Sequence, residues 1–314
     1  MKLSLIIPCF NEKENLAPLF ASLSAAFQDL PAGVTDHEWI FVDDGSRDGS
    51  FEVLKELHEK APEHLFVLRL SRNFGKEAAM LAGLEKADGD FCGFLDADLQ
   101  QDPRTVIEML KILLAHPQTD VVAAVPENKK DGAFLRFCKK RFYKILSRSG
   151  QGDVRPGASD FRLFRRKVAN ALLSVTEYYR FSKGIFAWMG FETEYLPYRV
   201  GERGAGKTKW SFRKLFRYGL DGVLSFTTFP LQLSIYLGVF VSLCSFLYMI
   251  AVIVQKLAFG IAVPGYATVV VLILLLSGIQ LLMLGIIGEY LAKTYIQTKN
   301  RPLYLEKEYL SKKK

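Results

Sequence analysis

Two long uncharged segments in the last third of the sequence limit what this chain can fold into more than any other feature. No charged side chain interrupts residues 222–255, and none interrupts residues 257–288. A helix needs about 20 apolar residues to cross a bilayer, and each segment exceeds that length. Buried helices of a soluble core are rarely so long or so uniformly apolar. The sequence therefore predicts two transmembrane helices, joined by a short turn at residues 256–266.

Basic residues flank this predicted hairpin and indicate its orientation. They lie at residues 213–217 before the first segment and at residues 293–314 after the second, whereas the turn carries only Lys256. The positive-inside rule then places both termini in the cytoplasm. The first residues run directly into a strand-like stretch without a signal-peptide pattern, so we expect the N-terminal domain to stay inside the cell. The prediction is a multi-pass protein of the cell (inner or plasma) membrane.

The charge of the chain agrees with this location. A formal net charge of +8 suits anionic lipid and nucleic acid equally well. The hairpin decides for the membrane, so no nucleic-acid partner is expected. We also predict a basic amphipathic helix at residues 131–149 and an interfacial helix at residues 211–225 that leads into the membrane. The first helix could lie on a membrane surface, cover an acceptor site or be a plain solvated helix.

Strand-like and helical patterns alternate along the first 130 residues or so. Strands are predicted at residues 2–8, 38–42, 65–70, 91–95 and 121–125. Helical spacing of apolar residues follows each of the first four. This alternation predicts an α/β fold with a mostly parallel sheet and helices on both faces.

Polar clusters follow four of these strands, at residues 8–12, 43–46, 71–76 and 96–100. Ligands of parallel sheets bind beyond the carboxyl ends of the strands, so the clusters are expected to meet at one edge. Asp96 and Asp98 are spaced so that both carboxylates can reach one cation. Mg²⁺ and Mn²⁺ take such oxygen ligands and complete their coordination with phosphates and water. The pattern therefore predicts a divalent metal site that binds a nucleoside diphosphate.

These motifs, in this order, resemble those of a known enzyme family. They are Pro8-x-x-Asn11-Glu12, Asp43-Asp44-Gly45-Ser46, Asn73-x-Gly75-Lys76 and Asp96-Ala97-Asp98-Leu99-Gln100. The set is similar to that of GT-A-fold, family 2 inverting glycosyltransferases. Three later motifs narrow the resemblance to polyprenyl-phosphate glycosyltransferases, the relatives of dolichol-phosphate mannose synthase and of bacterial bactoprenol glucosyltransferases. They are Ser159-Asp160-Phe161-Arg162, Arg203-x-x-Gly206-Lys207-Thr208-Lys209-Trp210 and Phe226-Thr227-Thr228-Phe229-Pro230-Leu231.

The resemblance covers nearly the whole chain and implies its organisation. A Rossmann-like GT-A domain in the cytoplasm is expected at residues 1–210, and a juxtamembrane interfacial helix at residues 211–227. The two transmembrane helices would occupy residues 228–292, because the bacterial branch commonly carries such a pair. A basic cytoplasmic tail would occupy residues 293–314.

The resemblance also implies the donor site. The expected nucleotide-binding residues are Pro8, Asn11, Glu12, Asp44, Lys76 and Asp96. The expected ligands of Mg²⁺ or Mn²⁺ are Asp96, Asp98 and Gln100. Asp98 counts as catalytic as well, because the cation neutralises the charge that grows on the departing diphosphate.

The acceptor side needs positive charge. A lipid phosphate has a second pKa of about 6, so near neutral pH the nucleophile needs guiding more than deprotonating. Guanidinium groups meet phosphate through two hydrogen bonds. The candidates are Arg155, Arg162, Arg203 and Lys209, and family precedent is clearest for the last three. In the bacterial glucosyl branch, the aspartate of this motif is regarded as the catalytic base, so the resemblance implies that Asp160 is catalytic. A role in orienting the acceptor stays open.

The predicted activity is inverting transfer of a single sugar to undecaprenyl phosphate or a similar polyprenyl phosphate, for modification of cell-envelope glycans. UDP-glucose is the first choice of donor, followed by UDP-N-acetylglucosamine and GDP-mannose. The alternatives are a processive polysaccharide synthase and a non-catalytic membrane accessory protein. The synthases usually carry a Gln-x-x-Arg-Trp motif and more membrane helices. Homo-oligomerisation and a flippase partner stay open, because no residue pattern decides either.

Overall fold

The structure, a computed structural model, describes residues 1–127, 159–201, 229–259 and 265–311. The chain divides into two compact units. One comprises Met1–Phe216 together with Arg301–Lys314, and the other comprises Arg217–Asn300. The predicted helices at residues 131–149 and 211–225 fall outside the described residues.

Within its described residues, the first unit is built on a sheet of eight strands in the order β7-β5-β6-β4-β1-β2-β3-β8. The strands are β1 (Lys2–Cys9), β2 (Asp36–Asp43), β3 (Leu65–Leu70), β4 (Phe91–Phe94), β5 (Val121–Pro126), β6 (Arg162–Arg165), β7 (Thr193–Tyr198) and β8 (Glu306–Leu310). The helices of this unit are α1 (Lys13–Ala26), α2 (Ser50–Lys60), α3 (Lys76–Lys86), α4 (Pro103–Ala115), α5 (Arg166–Ser174) and α6 (Ser182–Met189). The predicted α/β architecture is confirmed.

The sheet is parallel where the sequence alternates strand with helix. β1 pairs in parallel with β2 and β4, and β2 pairs in parallel with β3. Side chains of α1, α2 and α4 form the core on one face, and those of α3, α5 and α6 form the core on the other. Both faces are therefore covered, which explains why these strands are nearly continuous apolar runs. Asp102 caps α4 by accepting a hydrogen bond from the backbone N–H of Arg104 at 2.9 Å.

The strand order around β6 departs from simple alternation. β6 lies between β4 and β5 and is antiparallel to both, with Arg162 opposite Phe94 and Ala123. The residue pairs are distant in sequence, so periodicity carries no information about them. The insertion of β6 brings Ser159-Asp160-Phe161-Arg162 beside β4, the strand that leads into the loop with Asp96.

The C-terminal segment also differs from the expected basic tail at residues 293–314. β8 pairs antiparallel with β3 and becomes an edge strand of the sheet. The Tyr304 hydroxyl donates to Glu85 at 2.6 Å, and Lys86 forms an ion pair with Glu306 at 2.7 Å. Charged residues dominate the Glu306–Leu310 strand, which hides its strand character in the sequence, because an edge strand need not be apolar.

The described residues of the second unit form two apolar helices, α7 (Phe229–Phe259) and α8 (Tyr266–Thr298). Within them, Pro230–Ala258 and Val271–Thr298 are long and apolar enough to cross a membrane. The helices extend further than the sequence predicts. The first, α7, passes Lys256 and continues to Phe259, and α8 continues to Thr298, beyond the predicted end of the transmembrane region at residue 292.

Candidate active site

Lys76 contacts both the loop with Asp96 and the loop with Asp160. Its ammonium lies 2.5 Å from Oδ1 of Asp96 and 3.4 Å from Oδ2 of Asp160. Burial opposes the charge of Lys76, but Asp96 and Asp160 outweigh it and raise the pKa of the ammonium. The residues that follow β3 and β4 and precede β6 therefore meet at one point, as expected for the carboxyl edge of a parallel sheet.

The loop with the three predicted metal ligands is held by Gln101, a buried side chain. Its amide oxygen accepts from the backbone N–H of Asp96 at 2.9 Å, and its amide nitrogen donates to Oδ2 of Asp96 at 3.0 Å. Asp98 accepts from the backbone N–H of Gln100 through Oδ1 at 3.2 Å. Leu99, between them, has a φ of 63°, a conformation that costs a non-glycine residue energy. The loop is thus fixed by its own contacts.

The residues of this loop fit a metal ion that is shared with a substrate. Among the described residues, no group of three or more His, Cys, Asp or Glu side chains could hold a metal ion alone. Asp96, Asp98 and Gln100 offer only oxygen donors from side chains, on one loop. Mg²⁺ is commonly bound in this way, through one or two carboxylates with phosphates and water completing the shell. The donor set therefore suits an ion that arrives with a diphosphate.

Four of the predicted nucleotide-binding residues, Pro8, Asn11, Glu12 and Asp44, lie at the end of β1 or in the loops after β1 and β2. Pro8 lies in β1 opposite Val42 of β2. Asn11, at a φ of 54°, donates its backbone N–H to the Ser46 hydroxyl at 2.9 Å. Its side-chain oxygen accepts from the backbone N–H of Arg47 at 2.9 Å. These contacts fix the two loops to each other.

Two further carboxylates stabilise the same edge. Glu12 accepts from the side chain of Asn15 at 2.6 Å. Asp44 is buried and accepts from the backbone N–H groups of Phe74 and Gly75 at 2.7 and 2.9 Å. Burial raises the pKa of the Asp44 carboxyl, although both N–H groups oppose the rise. Asp44 thereby positions the loop that leads into Lys76.

Gly45 allows the loop after β2 to lie against the loop after β3. Its φ is 69°, and a Cβ atom there would lie 2.5 Å from the carbonyl carbon of Arg72. The glycine is therefore required by both conformation and space, because a left-handed φ disfavours a side chain and the neighbour is backbone.

We expect Gly45→Ala to destabilise the protein more than Gly190→Ala. Gly190 has a similar φ of 67°, but a Cβ atom there would have nothing within 4 Å. The Gly190 variant should therefore lose only about 1–2 kcal/mol, the cost of a left-handed residue. The Gly45 variant should lose a further 1–3 kcal/mol or so through overpacking. Melting temperatures of both variants in one detergent test this, and equal shifts would contradict the role of the close approach.

Asp160 and Arg162 belong to the motif predicted to bind the acceptor, and Asp160 lies 3.4 Å from the Lys76 ammonium. Arg162 is buried, donates from Nε to the Ser159 carbonyl at 3.0 Å, and places its guanidinium 4.4 Å from the ring centre of Phe186. Burial alone would raise the pKa of Asp160, but the charges of Lys76, Lys183 and Arg162 hold it below its usual range. The Asp160 carboxylate is therefore ionised at neutral pH. The other acceptor candidates, Arg155, Arg203 and Lys209, lie outside the described residues.

Gln101 is a site residue that sequence reasoning missed. The sequence motif draws attention to Gln100, whereas the adjacent amide is the one that holds Asp96. Only its burial beside a polar loop distinguishes it, and burial is not visible in the motif. Tyr198 is also buried near this loop, and the charges of Asp96 and Asp98 act with burial to raise the pKa of its hydroxyl.

We expect Gln101→Leu to weaken metal use rather than folding. The change removes both amide contacts to Asp96 at similar volume. Partners behind a metal ligand are typically worth about 10–100-fold in metal affinity or activity. The Mn²⁺ concentration for half-maximal activity should rise accordingly, whereas the exposed control Gln118→Leu should match the parent. An unchanged Mn²⁺ requirement in the Gln101 variant would contradict this role.

Comparison with known proteins agrees with this geometry. The family described as Glycosyl transferase family 2 matches residues 4–173, and the family described as GtrB C-terminal hairpin matches residues 229–294. The glycosyltransferase CsbB of Bacillus subtilis (strain 168) is 41% identical over 98% of this chain and 91% of its own length. The SfII prophage-derived bactoprenol glucosyl transferase of Shigella flexneri is 38% identical over 98% of each chain.

Similarity to solved structures is more distant. Glucosyl-3-phosphoglycerate synthase from Mycobacterium tuberculosis, in complex with UDP, has a TM-score of 0.47 and 17% identity, covering 72% of this chain and 78% of its own. The family match over residues 4–173 and the relatives of full length decide the assignment. The chain is a glycosyltransferase and belongs to glycosyl transferase family 2, together with the bactoprenol glucosyl transferases.

Proposed function

We propose that the protein transfers one sugar from a nucleotide sugar, with UDP-glucose as the first choice, to undecaprenyl phosphate or a similar polyprenyl phosphate. The observation that carries this proposal is the position of Lys76, 2.5 Å from Asp96 and 3.4 Å from Asp160. Asp96 belongs to the donor motif and Asp160 to the acceptor motif. A transferase must hold both substrates at one reaction centre, and such positioning accounts for a large part of its rate.

In this proposal, different residues bind the metal, the nucleoside and the acceptor phosphate. Asp96, Asp98 and Gln100 would hold Mg²⁺ or Mn²⁺, which neutralises charge on the departing diphosphate when it is bound. Pro8, Asn11, Glu12 and Asp44 would surround the nucleoside. Lys76 keeps a positive charge between the two substrates. Asp160 and Arg162, with Arg155, Arg203 and Lys209, would bind and orient the acceptor phosphate.

The lipid acceptor and the membrane location belong to the same proposal. Relatives named bactoprenol glucosyl transferases align over 98% of this chain, which supports a polyprenyl phosphate acceptor. α7 and α8 would then cross the cell membrane as a hairpin. β8 lies in the same sheet as β1 to β3, so the chain after the hairpin must be on the same side of the membrane as the N-terminal domain. This supports placing both termini on one side of the membrane, and the basic residues that flank the hairpin indicate that this side is the cytoplasm.

The test is an assay of the purified full-length protein in detergent. Undecaprenyl phosphate and Mg²⁺ or Mn²⁺ are incubated with UDP-glucose, UDP-N-acetylglucosamine or GDP-mannose, and the lipid product is identified by mass. We expect one hexose per lipid, with UDP-glucose the best donor, and no product when EDTA is present.

The outcomes separate the alternatives. A polymer in place of a single added sugar would favour a processive synthase. UDP binding in the presence of Mn²⁺, without a lipid product from any donor, would contradict the proposed acceptor. Failure to bind any of the three nucleotide sugars would favour a non-catalytic accessory protein.

A further inference from the structure

A contact between α3 and α6 fixes the first turn of α6, which carries Lys183. The Glu77 carboxylate accepts a hydrogen bond from the backbone N–H of Ser182 at 3.1 Å and another from the Ser182 hydroxyl. Ser182 is buried and is the first residue of α6. The carboxylate therefore binds the free N–H end of the helix, which holds the first turn of α6 against the first turn of α3.

The same turn of α3 also reaches the reaction centre. Glu77 follows Lys76, whose ammonium contacts both Asp96 and Asp160. On the other helix, Lys183 follows Ser182 and is half-buried. The positive charge of Lys183 lowers the pKa of Asp160, as does that of Lys76. On each helix, a residue of the Glu77–Ser182 contact is therefore followed or preceded directly by a lysine. These lysines are Lys76 on α3 and Lys183 on α6.

The same helix supports Arg162. Phe186 lies one turn beyond Lys183, so the two side chains share a face of α6. Its ring packs against Phe164 with centroids 5.4 Å apart, and the Arg162 guanidinium lies 4.4 Å from its centre. α6 therefore presents one cation itself and holds a second in place.

The charges around Asp160 indicate the ligand. Lys76 lies 3.4 Å from Asp160 and 2.5 Å from Asp96, and Lys183 shares a face of α6 with Phe186, against which the Arg162 guanidinium packs. A phosphate monoester carries a charge of about −1.5 to −2 at neutral pH and three strong acceptor oxygens. Arginine binds it through a planar fork and lysine as a point charge. The two cations on α6 and β6 suit such a group.

We propose that Lys183 binds the phosphate of the acceptor, and that Glu77 is a positioning residue that holds Lys183 in place through Ser182. This deepens the proposed function and rests on it. If the Glu77 contact only joined two helices, its loss would lower stability without a selective effect on either substrate. The proposal instead requires a selective effect on the acceptor.

The first experiment compares Lys183→Ala, Lys183→Arg and the control Lys111→Ala. Lys111 is exposed on α4, on the opposite face of the sheet. For Lys183→Ala we expect the KM for undecaprenyl phosphate to rise about 10-fold or more, the effect of one charge-assisted hydrogen bond. The KM for the sugar nucleotide should stay within about twofold. Lys183→Arg should recover most of the acceptor affinity, and the control should match the parent.

The second experiment tests the positioning role by a double-mutant cycle. Glu77→Ala should raise the KM for the acceptor in the same direction, and Glu77→Gln, which keeps an acceptor for the Ser182 N–H, should raise it less. Because Glu77 acts through Lys183, the effects of Glu77→Ala and Lys183→Ala should combine to less than their product. Independent effects, or equal changes in both KM values, would overturn the positioning role.

Binding measurements keep this inference separate from the proposed function. Calorimetry with a short-chain prenyl phosphate and UDP-saturated protein reports acceptor binding without sugar transfer. One outcome is that the parent binds the prenyl phosphate, that Lys183→Ala does not, and that no donor gives sugar transfer. This outcome would support the role of Lys183 in phosphate binding and contradict the proposed reaction. Transfer by the parent with an unchanged acceptor KM in Lys183→Ala would overturn Lys183 alone. No binding and no transfer by the parent would overturn both.

Discussion

Asp98→Asn is expected to lower kcat by at least about 100-fold while the fold is retained. Mutation of a residue that hydrogen-bonds a metal ligand typically lowers metal affinity or activity about 10–100-fold. Removal of the charge of a ligand itself should lower the activity more. The asparagine keeps an oxygen that can accept from the backbone N–H of Gln100, the contact that Oδ1 of Asp98 makes at 3.2 Å. The loop should therefore keep its conformation, and the loss can be attributed to charge. Initial rates at saturating donor and acceptor, over a range of Mn²⁺, measure the effect.

The same loop offers a matched control for this change. Asp102 is exposed and caps α4 through its side chain. Asparagine is as good an N-cap as aspartate, so Asp102→Asn should match the parent in both rate and melting temperature. If only Asp98→Asn lowers the rate, the effect is due to the metal ligand and not to the loss of any carboxylate from this loop. A rate for Asp98→Asn within a few-fold of the parent, at the same Mn²⁺ concentration, would show that Asp98 does not hold the metal.

The features that could be predicted from the sequence are those encoded locally. Apolar runs located β1 to β5, and the residues that follow each strand located the edge where Asp44, Lys76 and Asp96 lie. In each case a few adjacent residues fix the backbone, and the parallel sheet then fixes which ends meet.

The features that could not be predicted depend on contacts between residues distant in sequence. Lys76 meets Asp160 across 84 positions, and Glu77 meets Ser182 across 105. β6 enters the sheet antiparallel between β4 and β5, and β8 returns to pair with β3. No periodic pattern reports such pairings. The motifs named Asp96 and Asp160 separately, but only the fold places one ammonium between them.

This arrangement bears on the role of Asp160. A strict general base would set a pH limb at its own pKa. Positive charges from Lys76, Lys183 and Arg162 hold the pKa of Asp160 below its usual range, so any limb from Asp160 lies at acidic pH, below the range in which an acceptor phosphate titrates. The phosphate itself gains its second negative charge at a pKa of about 6. We therefore expect the parent rate to rise with pH through about 6 because the nucleophile ionises.

Asp160→Asn should consequently lower kcat/KM by about 100-fold at every pH from roughly 5.5 to 8.5, a typical loss for a preorganised electrostatic contact, and keep the rising limb near 6. An acceptor with a phosphonate in place of the phosphate has a higher second pKa, so it should move the limb upward equally in the parent and the variant. Profiles of kcat/KM at saturating metal test this. A flat profile for Asp160→Asn would assign the limb to Asp160 and identify it as the base, whereas a parallel, lower profile identifies an ionised carboxylate that orients the acceptor and its cations.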